Sequence, residues 1–202
     1  MTSGGKSFQN RDIRLWKELV QGSDQALGQL RHCYFKALLN YGFKFVKDDA
    51  LVKDCIQEVF IDLWNSRERV AEPTHVKAYL LVSLRRKIIR NRRTVHPWDD
   101  QAHAISDDYD FSIEFSPEWR MIREETLAHK AQKISEMLDA LPARQREVIY
   151  LKYYQELSRE EISAMLNITP QTVSNLLQMA YGQLRKRFSP TAISTLLSIL
   201  FV

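Results

Sequence analysis

Three sets of residues have the types and spacing to do chemistry. Arg85, Arg86, Lys87, Arg90 and Arg93 crowd cations into residues 85–93. Such a run neutralises successive phosphates of a nucleic acid, which supplies affinity without sequence information. Thr169, Gln171, Thr172, Ser174, Asn175 and Gln178 form a second set of hydroxyls and amides at helical spacing. Groups of that kind hydrogen-bond to base edges and phosphate oxygens. The third set is Asp54, Gln57, Glu58, Ile61 and Asp62, whose steps of three and four put carboxylates, an amide and one apolar side chain on a single stripe. A basic helical partner would match it. Catalytic chemistry has no comparable set. The five histidines, at 32, 75, 96, 103 and 129, show no ligand spacing with one another or with Cys33 and Cys55, and there is no HExxH, Gly-rich phosphate loop or Gly-x-Ser-x-Gly elbow. His96 and His103 beside Asp99 and Asp100 read as solvated residues of a polar segment. The expectation is a protein that is not an enzyme and has no catalytic residue, metal or cofactor.

The elements that must position these sets read as helices. Leu27, Leu30, Tyr34, Leu38, Tyr41 and Phe45 recur at steps of three and four, one stripe of a long amphipathic helix that Ser23 or Asp24 would cap. A shorter helical stretch before it carries Ile13, Trp16, Leu19 and Val20. Val52, Ile56, Val59, Phe60 and Leu63 form the apolar face of the next helix, opposite the acidic stripe, which ends near Trp64. Pro73 and Thr74 open a fourth helix with Val76, Tyr79, Leu80, Ser83 and Leu84 inward and the basic run at its end. Alternating strand patterns are absent.

Near the other end, Ser158 and Glu161 have the spacing of a capping box, and the helix they start contains Ile162 and Leu166. Asn167 suits a left-handed turn position. Thr169 then caps a second helix with Pro170 at its first position and Val173, Leu177, Ala180 and Leu184 as its inner stripe. Two short helices joined by a three-residue turn make a helix-turn-helix, which would turn the polar set at 169–178 toward a DNA major groove. No Lys or Arg lies between Arg159 and Arg185 to assist it.

Between the two blocks the periodicity stops. Residues 1–94 hold 18 Lys and Arg against 10 Asp and Glu, residues 95–125 hold 2 against 9, and residues 126–202 hold 9 against 6. An acidic island between basic flanks points to a polyanionic partner for the flanks. The organisation expected is all-α: a helical domain at 8–94, an acidic flexible linker at 95–125, a helix-turn-helix domain at 126–188 and an apolar tail at 189–202. With 202 residues, 45% hydrophobic and 27% charged, 6 Gly and 6 Pro, the chain has the composition of a folded protein. Two distant cysteines indicate a reducing compartment, and the first ten residues lack the apolar core of a secretory signal. The tail is about half as long as a membrane-crossing helix requires. A cytoplasmic protein without stable membrane insertion is expected.

Two of these segments resemble a known family. SREEISAMLNITPQTVSNLLQMAYGQLRKRF, together with Leu141, Pro142 and Arg146, is similar to the fourth region of bacterial RNA polymerase sigma factors of the extracytoplasmic-function group. In the first block DCIQEVFIDLW resembles that family's polymerase-binding helix and AYLLVSLRRKIIRNRR its promoter-melting helix. The likeness runs over roughly residues 10–188. It implies a sigma factor that directs core polymerase to specific promoters and helps open them. By the same resemblance Gln57 and Glu58 would contact the beta-prime clamp helices and the C-terminal domain the beta flap. The loop at 65–75 would capture an unstacked base, the linker would thread the polymerase's basic RNA path, and an anti-sigma factor would be a further partner. The residues alone leave a second reading open, a free-standing helix-turn-helix regulator that binds duplex operator DNA without polymerase.

Overall fold

The structure, a computed structural model, describes residues 3–95, 109, 111–112 and 136–188. The chain divides into two compact units, residues 1–101 and 102–202. Among the described residues all regular structure is helical.

The first unit is built from α1 (Ser3–Val20), α2 (Asp24–Gly42), α3 (Asp49–Ser66) and α4 (Val76–Val95). Helix α1 is as long as its neighbours, against the short stretch expected. Its Trp16 is fully buried and meets the Tyr79 ring edge-on at 5.0 Å. Gly22, at φ 93°, makes the left-handed turn between α1 and α2 that a β-carbon would strain. Ser23, rather than Asp24, caps α2, its Oγ accepting from the Ala26 amide at 3.2 Å. The α2 stripe is buried at Leu30, Leu38, Tyr41 and Phe45, while Leu27 and Tyr34 are half-buried. Tyr34 is drawn aside because its hydroxyl donates to Asp12, a buried carboxylate of α1 that Arg11 also holds, at 3.1 Å. Asp48 caps α3 through the Leu51 amide at 3.1 Å. The inward face of α3 is the expected one, Val52, Ile56, Val59, Phe60 and Leu63; on α4, Val76, Leu80 and Leu84 are buried as expected, with Leu81 and Ile88 added, while Tyr79 and Ser83 are only half-buried. Helix α4 starts at Val76, two residues after the Pro73-Thr74 pair expected to open it.

Among the described residues the second unit has helical residues 136–139, then α5 (Ala143–Ile149), a π-helical segment (Tyr150–Tyr154), α6 (Arg159–Leu166) and α7 (Pro170–Arg187). Helix α5 follows Pro142 as the sequence requires. Its widening into a π-helical turn, with the Gln155 amide donating to the Tyr150 carbonyl, places Tyr150 and Leu151 in the core and stacks the Tyr154 ring on Tyr150 at 4.8 Å. The hydroxyls of Tyr153 and Tyr181 hydrogen-bond to each other, tying the π segment to α7. One finding departs from the expected tether at 95–125: Phe111 has no exposed surface and is part of this second core.

Candidate nucleic-acid and partner interfaces

Local chemistry fixes the helix-turn-helix. Ser158 Oγ accepts from the Glu161 amide at 3.1 Å while Glu161 Oε2 accepts from the Ser158 amide at 2.6 Å, so two otherwise orphaned donors at the start of α6 are satisfied. Asn167 ends that helix at φ 53°, ψ 49°, the left-handed position its short side chain tolerates. Thr169 Oγ1 accepts from the Thr172 amide at 3.1 Å and Pro170 opens α7. Val173, Ala180 and Leu184 are sealed against the unit's core, so rotation by 100° per residue turns the other side of α7 outward. Gln171, Asn175 and Gln178 are exposed there, and Thr172 and Ser174 are half-exposed. Several of these groups are already oriented. Gln171 Nε2 donates to Asn175 Oδ1 at 3.0 Å, and the Thr169 and Thr172 hydroxyls lie 2.8 Å apart. Met179 adds a large apolar side chain to the helix surface, 54% exposed.

Sequence reasoning left this surface without a cation, and the fold supplies one. Arg159, on the preceding helix, extends Nη1 to within 3.4 Å of Ser174 Oγ, fifteen residues away in the chain. Its guanidinium also lies 4.0 Å from the carboxylate of the exposed Glu160. The position of Arg159 just inside a capping box was the signal that could have placed it beside α7.

In the first unit the acidic stripe lies where expected. Asp54, Gln57, Ile61 and Asp62 are exposed and Glu58 is half-exposed, on the side of α3 away from Val59, Phe60 and Leu63. Ile61 keeps 48% of its surface in solvent, an apolar centre among polar groups. The basic run on α4 is split by the helix. Arg86 and Arg90, one turn apart, are exposed; Arg85 and Lys87 are buried; the side chain of Arg93 lies outside the described residues. Lys87 Nζ sits 2.8 Å from both Glu58 Oε2 and Asp62 Oδ2. Burial alone would lower the Lys87 ammonium, but the hydrogen bonds to Asp62 and Glu58 outweigh it and hold the pKa above the ordinary lysine value. The basic and acidic sets, read as separate surfaces, therefore share this residue.

Beside that cluster, α3 and α4 enclose an open groove of about 280 Å³ lined by Val59, Asp62, Leu63, Ser66, Tyr79, Ser83, Arg86, Lys87 and Arg90. Apolar floor, an aromatic ring and two exposed guanidinium groups at one edge are the ingredients that hold a single-stranded nucleic acid. At the end of α3 the Arg67 guanidinium stacks over the Trp64 ring at 4.5 Å, which orders the start of the loop at 65–75. Asp107, Asp108 and Asp110 and the tail at 189–202 lie outside the described residues. Among the described residues no group of three or more His, Cys, Asp or Glu could hold a metal ion, and no helix is long and apolar enough to cross a membrane.

A helix-turn-helix with an outward polar face, and a separate helical unit that pairs a basic groove with an acidic stripe, define the class: a two-domain helical protein built around a DNA-binding motif. The comparisons are specific. Residues 30–96 match the model of sigma-70 region 2, and residues 131–184 match that of sigma-70 region 4. The chain is 27% identical over 157 residues to RNA polymerase sigma factor SigV of Bacillus subtilis (strain 168), covering 75% of this chain and 84% of that one. It is 24% identical over 152 residues to RNA polymerase sigma-E factor of Streptomyces avermitilis, covering 74% and 78%. Among solved structures it resembles CnrH in complex with the cytosolic domain of CnrY, with TM-score 0.59 and 19% identity over 87% of this chain and 95% of that one. A second is the sigma factor RpoE in complex with the anti-sigma factor NepR from Bartonella quintana, with TM-score 0.55 and 19% identity over 79% and 94%. The chain belongs to the sigma-70 family and is a sigma factor of the extracytoplasmic-function type.

Proposed function

We propose that this sigma factor divides promoter-specific initiation among three surfaces. Asp54, Gln57, Glu58, Ile61 and Asp62 on α3 dock on core RNA polymerase, at the beta-prime clamp helices. Arg86 and Arg90, with Arg93 further along α4, carry the phosphates of promoter DNA as it opens, and the groove beside them takes the separated strand. Thr169, Gln171, Thr172, Ser174, Asn175 and Gln178 read the upstream element in the major groove. Lys87 and Arg85, being buried, support α4 from behind rather than facing solvent. The observation that carries the reading is the order of the two sigma regions on two separate compact units, each bearing the polar surface its task needs. The beta flap is the partner proposed for the second unit. An anti-sigma factor is a further partner, a reading supported by the structurally similar RpoE of Bartonella quintana, solved in complex with the anti-sigma factor NepR. A protein with these partners works in the cytoplasm.

Co-sedimentation of the full chain with core polymerase, followed by transcription from a cognate promoter, tests this. Binding that Gln57→Lys abolishes supports the docking face. Tight, sequence-specific binding to duplex DNA without polymerase would instead establish a free-standing regulator.

A further inference from the structure

Tyr109 and Phe111 lie within the acidic run that joins the two units, yet both side chains are spent on the second one. Phe111 is fully buried, its ring 5.7 Å from that of Tyr150 and inclined at 68°. The Tyr109 hydroxyl donates to the carboxylate of Glu147, which itself has no exposed surface. Residues two apart on extended backbone point to the same side, so one short segment can deliver both groups together. Their receptors, Glu147 and Tyr150, flank the point where α5 widens into the π segment. A tether that only had to span distance would gain nothing from placing an aromatic ring and a phenol in a domain core.

We propose that Tyr109 and Phe111 staple the linker to the region 4 domain and thereby set the promoter spacing this sigma factor accepts. The proposal rests on the two-domain promoter reading above. With the staple in place, thirteen residues, 96–108, separate the end of α4 at Val95 from the first anchored residue of the second unit, Tyr109. The contour from Val95 to Tyr109 is at most about 50 Å; without the staple, the next described residue of the second unit is Glu136, a contour of at most about 150 Å from Val95. Each base pair added between two promoter elements moves them apart by about 3.4 Å and rotates one about the other. A short span resists that change and a long one absorbs it. Effective concentration falls roughly as the −3/2 power of tether length, so releasing the staple also weakens two-site engagement, by up to about fivefold at the best spacing.

The test uses full-length protein with core polymerase and a promoter series whose spacing changes one base pair at a time. Wild-type protein is expected to show a narrow optimum; an inactive wild type at every spacing would fail the promoter reading itself, before the staple is tested. Six Gly and Ser residues inserted after Gln101 should broaden the optimum, whereas the same insert after Met121 should leave it unchanged. Tyr109→Phe with Phe111→Ala should broaden it and lower peak transcription by up to about fivefold. Should that variant fail to fold, the two insertions decide. Equal effects of the two insertions, or an unchanged profile with the first, would overturn the proposal.

Discussion

Reversing the charge at Glu58 probes the docking face of α3, and the structure shows that it probes the fold as well. Glu58 Oε2 lies 2.8 Å from Lys87 Nζ, with 47% of the Glu58 side chain exposed and 10% of the Lys87 side chain. A hydrogen bond to a charged group contributes roughly 1.5–3 kcal/mol when buried, and an exposed ion pair roughly 0.2–1 kcal/mol. Half-exposure, and the second carboxylate of Asp62 at 2.8 Å, bring the loss down to about 1 kcal/mol. Lys at position 58 would add repulsion toward Lys87, held to at most about 1 kcal/mol by water and by the freedom of the new side chain to swing away. Glu58→Lys should therefore destabilise the first unit by about 1–2 kcal/mol and lower its melting temperature by about 5–10 °C. Gln57→Lys places the same charge one residue away on a fully solvated position, where stability should change by less than about 0.5 kcal/mol. Circular dichroism melts of the full chain, paired with co-sedimentation on core polymerase, separate the two effects. Both variants should lose core affinity at least about tenfold, the equivalent of roughly 1.4 kcal/mol. If Glu58→Lys melts with the wild type, the Lys87 cluster contributes nothing in solution. If folded Gln57→Lys binds core normally, the docking face is elsewhere.

Gly42→Ala should destabilise the first unit despite the better helix propensity of alanine, because the new β-carbon would sit 2.4 Å from Val52 Cγ1, a side chain with no free surface to move into. A propensity gain of about 1 kcal/mol set against overpacking of about 1–3 kcal/mol predicts a lower urea midpoint with an unchanged slope; a raised midpoint would refute the close approach. Tyr34, Tyr150 and Tyr153 are all shifted upward by burial, Tyr34 also by its hydrogen bond to Asp12. Alkaline ultraviolet titration should accordingly show fewer than the chain's 8 tyrosines ionising near pH 10 while the fold persists. Because these folded-state values exceed the unfolded one, their stabilisation is whole below about pH 10 and is lost as pH rises through the folded values. Asn175→Ala should lower transcription from particular promoters by about tenfold, whereas Arg90→Ala should weaken all promoters alike and reduce the salt slope of binding by about one; identical promoter profiles for the two would contradict the assigned roles.

What was legible in the sequence was whatever local chemistry decides. Capping by Ser158, Glu161 and Thr169, and the left-handed turn at Asn167, are settled within three or four residues, so the helix-turn-helix and its outward polar face could be read directly. Periodicity likewise fixed the buried stripes of α3 and α4. It also contained a warning that the count of cations obscured: Lys87 stands one turn beyond Ser83 and three residues beyond Leu84, on the inward side of α4. Its carboxylate partners are 25 and 29 residues away on another helix, and no local pattern announces them. Phe111 shows the same limit more sharply. An aromatic residue in an Asp- and Ser-rich run has no period, and only the slot beside Tyr150 turns it from a linker residue into a core residue. Arg159 was visible as a capping-box neighbour, but its reach to Ser174 depends on the angle between two helices.

On the docking and DNA faces proposed above, the Lys87 cluster would make the two contacts depend on each other, because it ties the carboxylates of α3 to a cation of α4. Asp62 belongs to the acidic stripe of α3, yet it also lines the groove whose other wall carries Arg86 and Arg90. A basic group arriving on α3 must compete with the Lys87 ammonium for the same carboxylate oxygens, since each acid already accepts from it at 2.8 Å. Sharing those oxygens weakens the tie between α3 and α4 and raises the positive potential of the groove, because the nearby negative charge is then divided between two partners. In the absence of a partner the carboxylates neutralise Lys87 and dilute the field of the exposed arginines. If those faces are the ones proposed, DNA affinity should rise when a basic partner occupies α3, and Asp62→Asn should narrow the difference between free and partner-bound protein; an unchanged difference would refute the coupling.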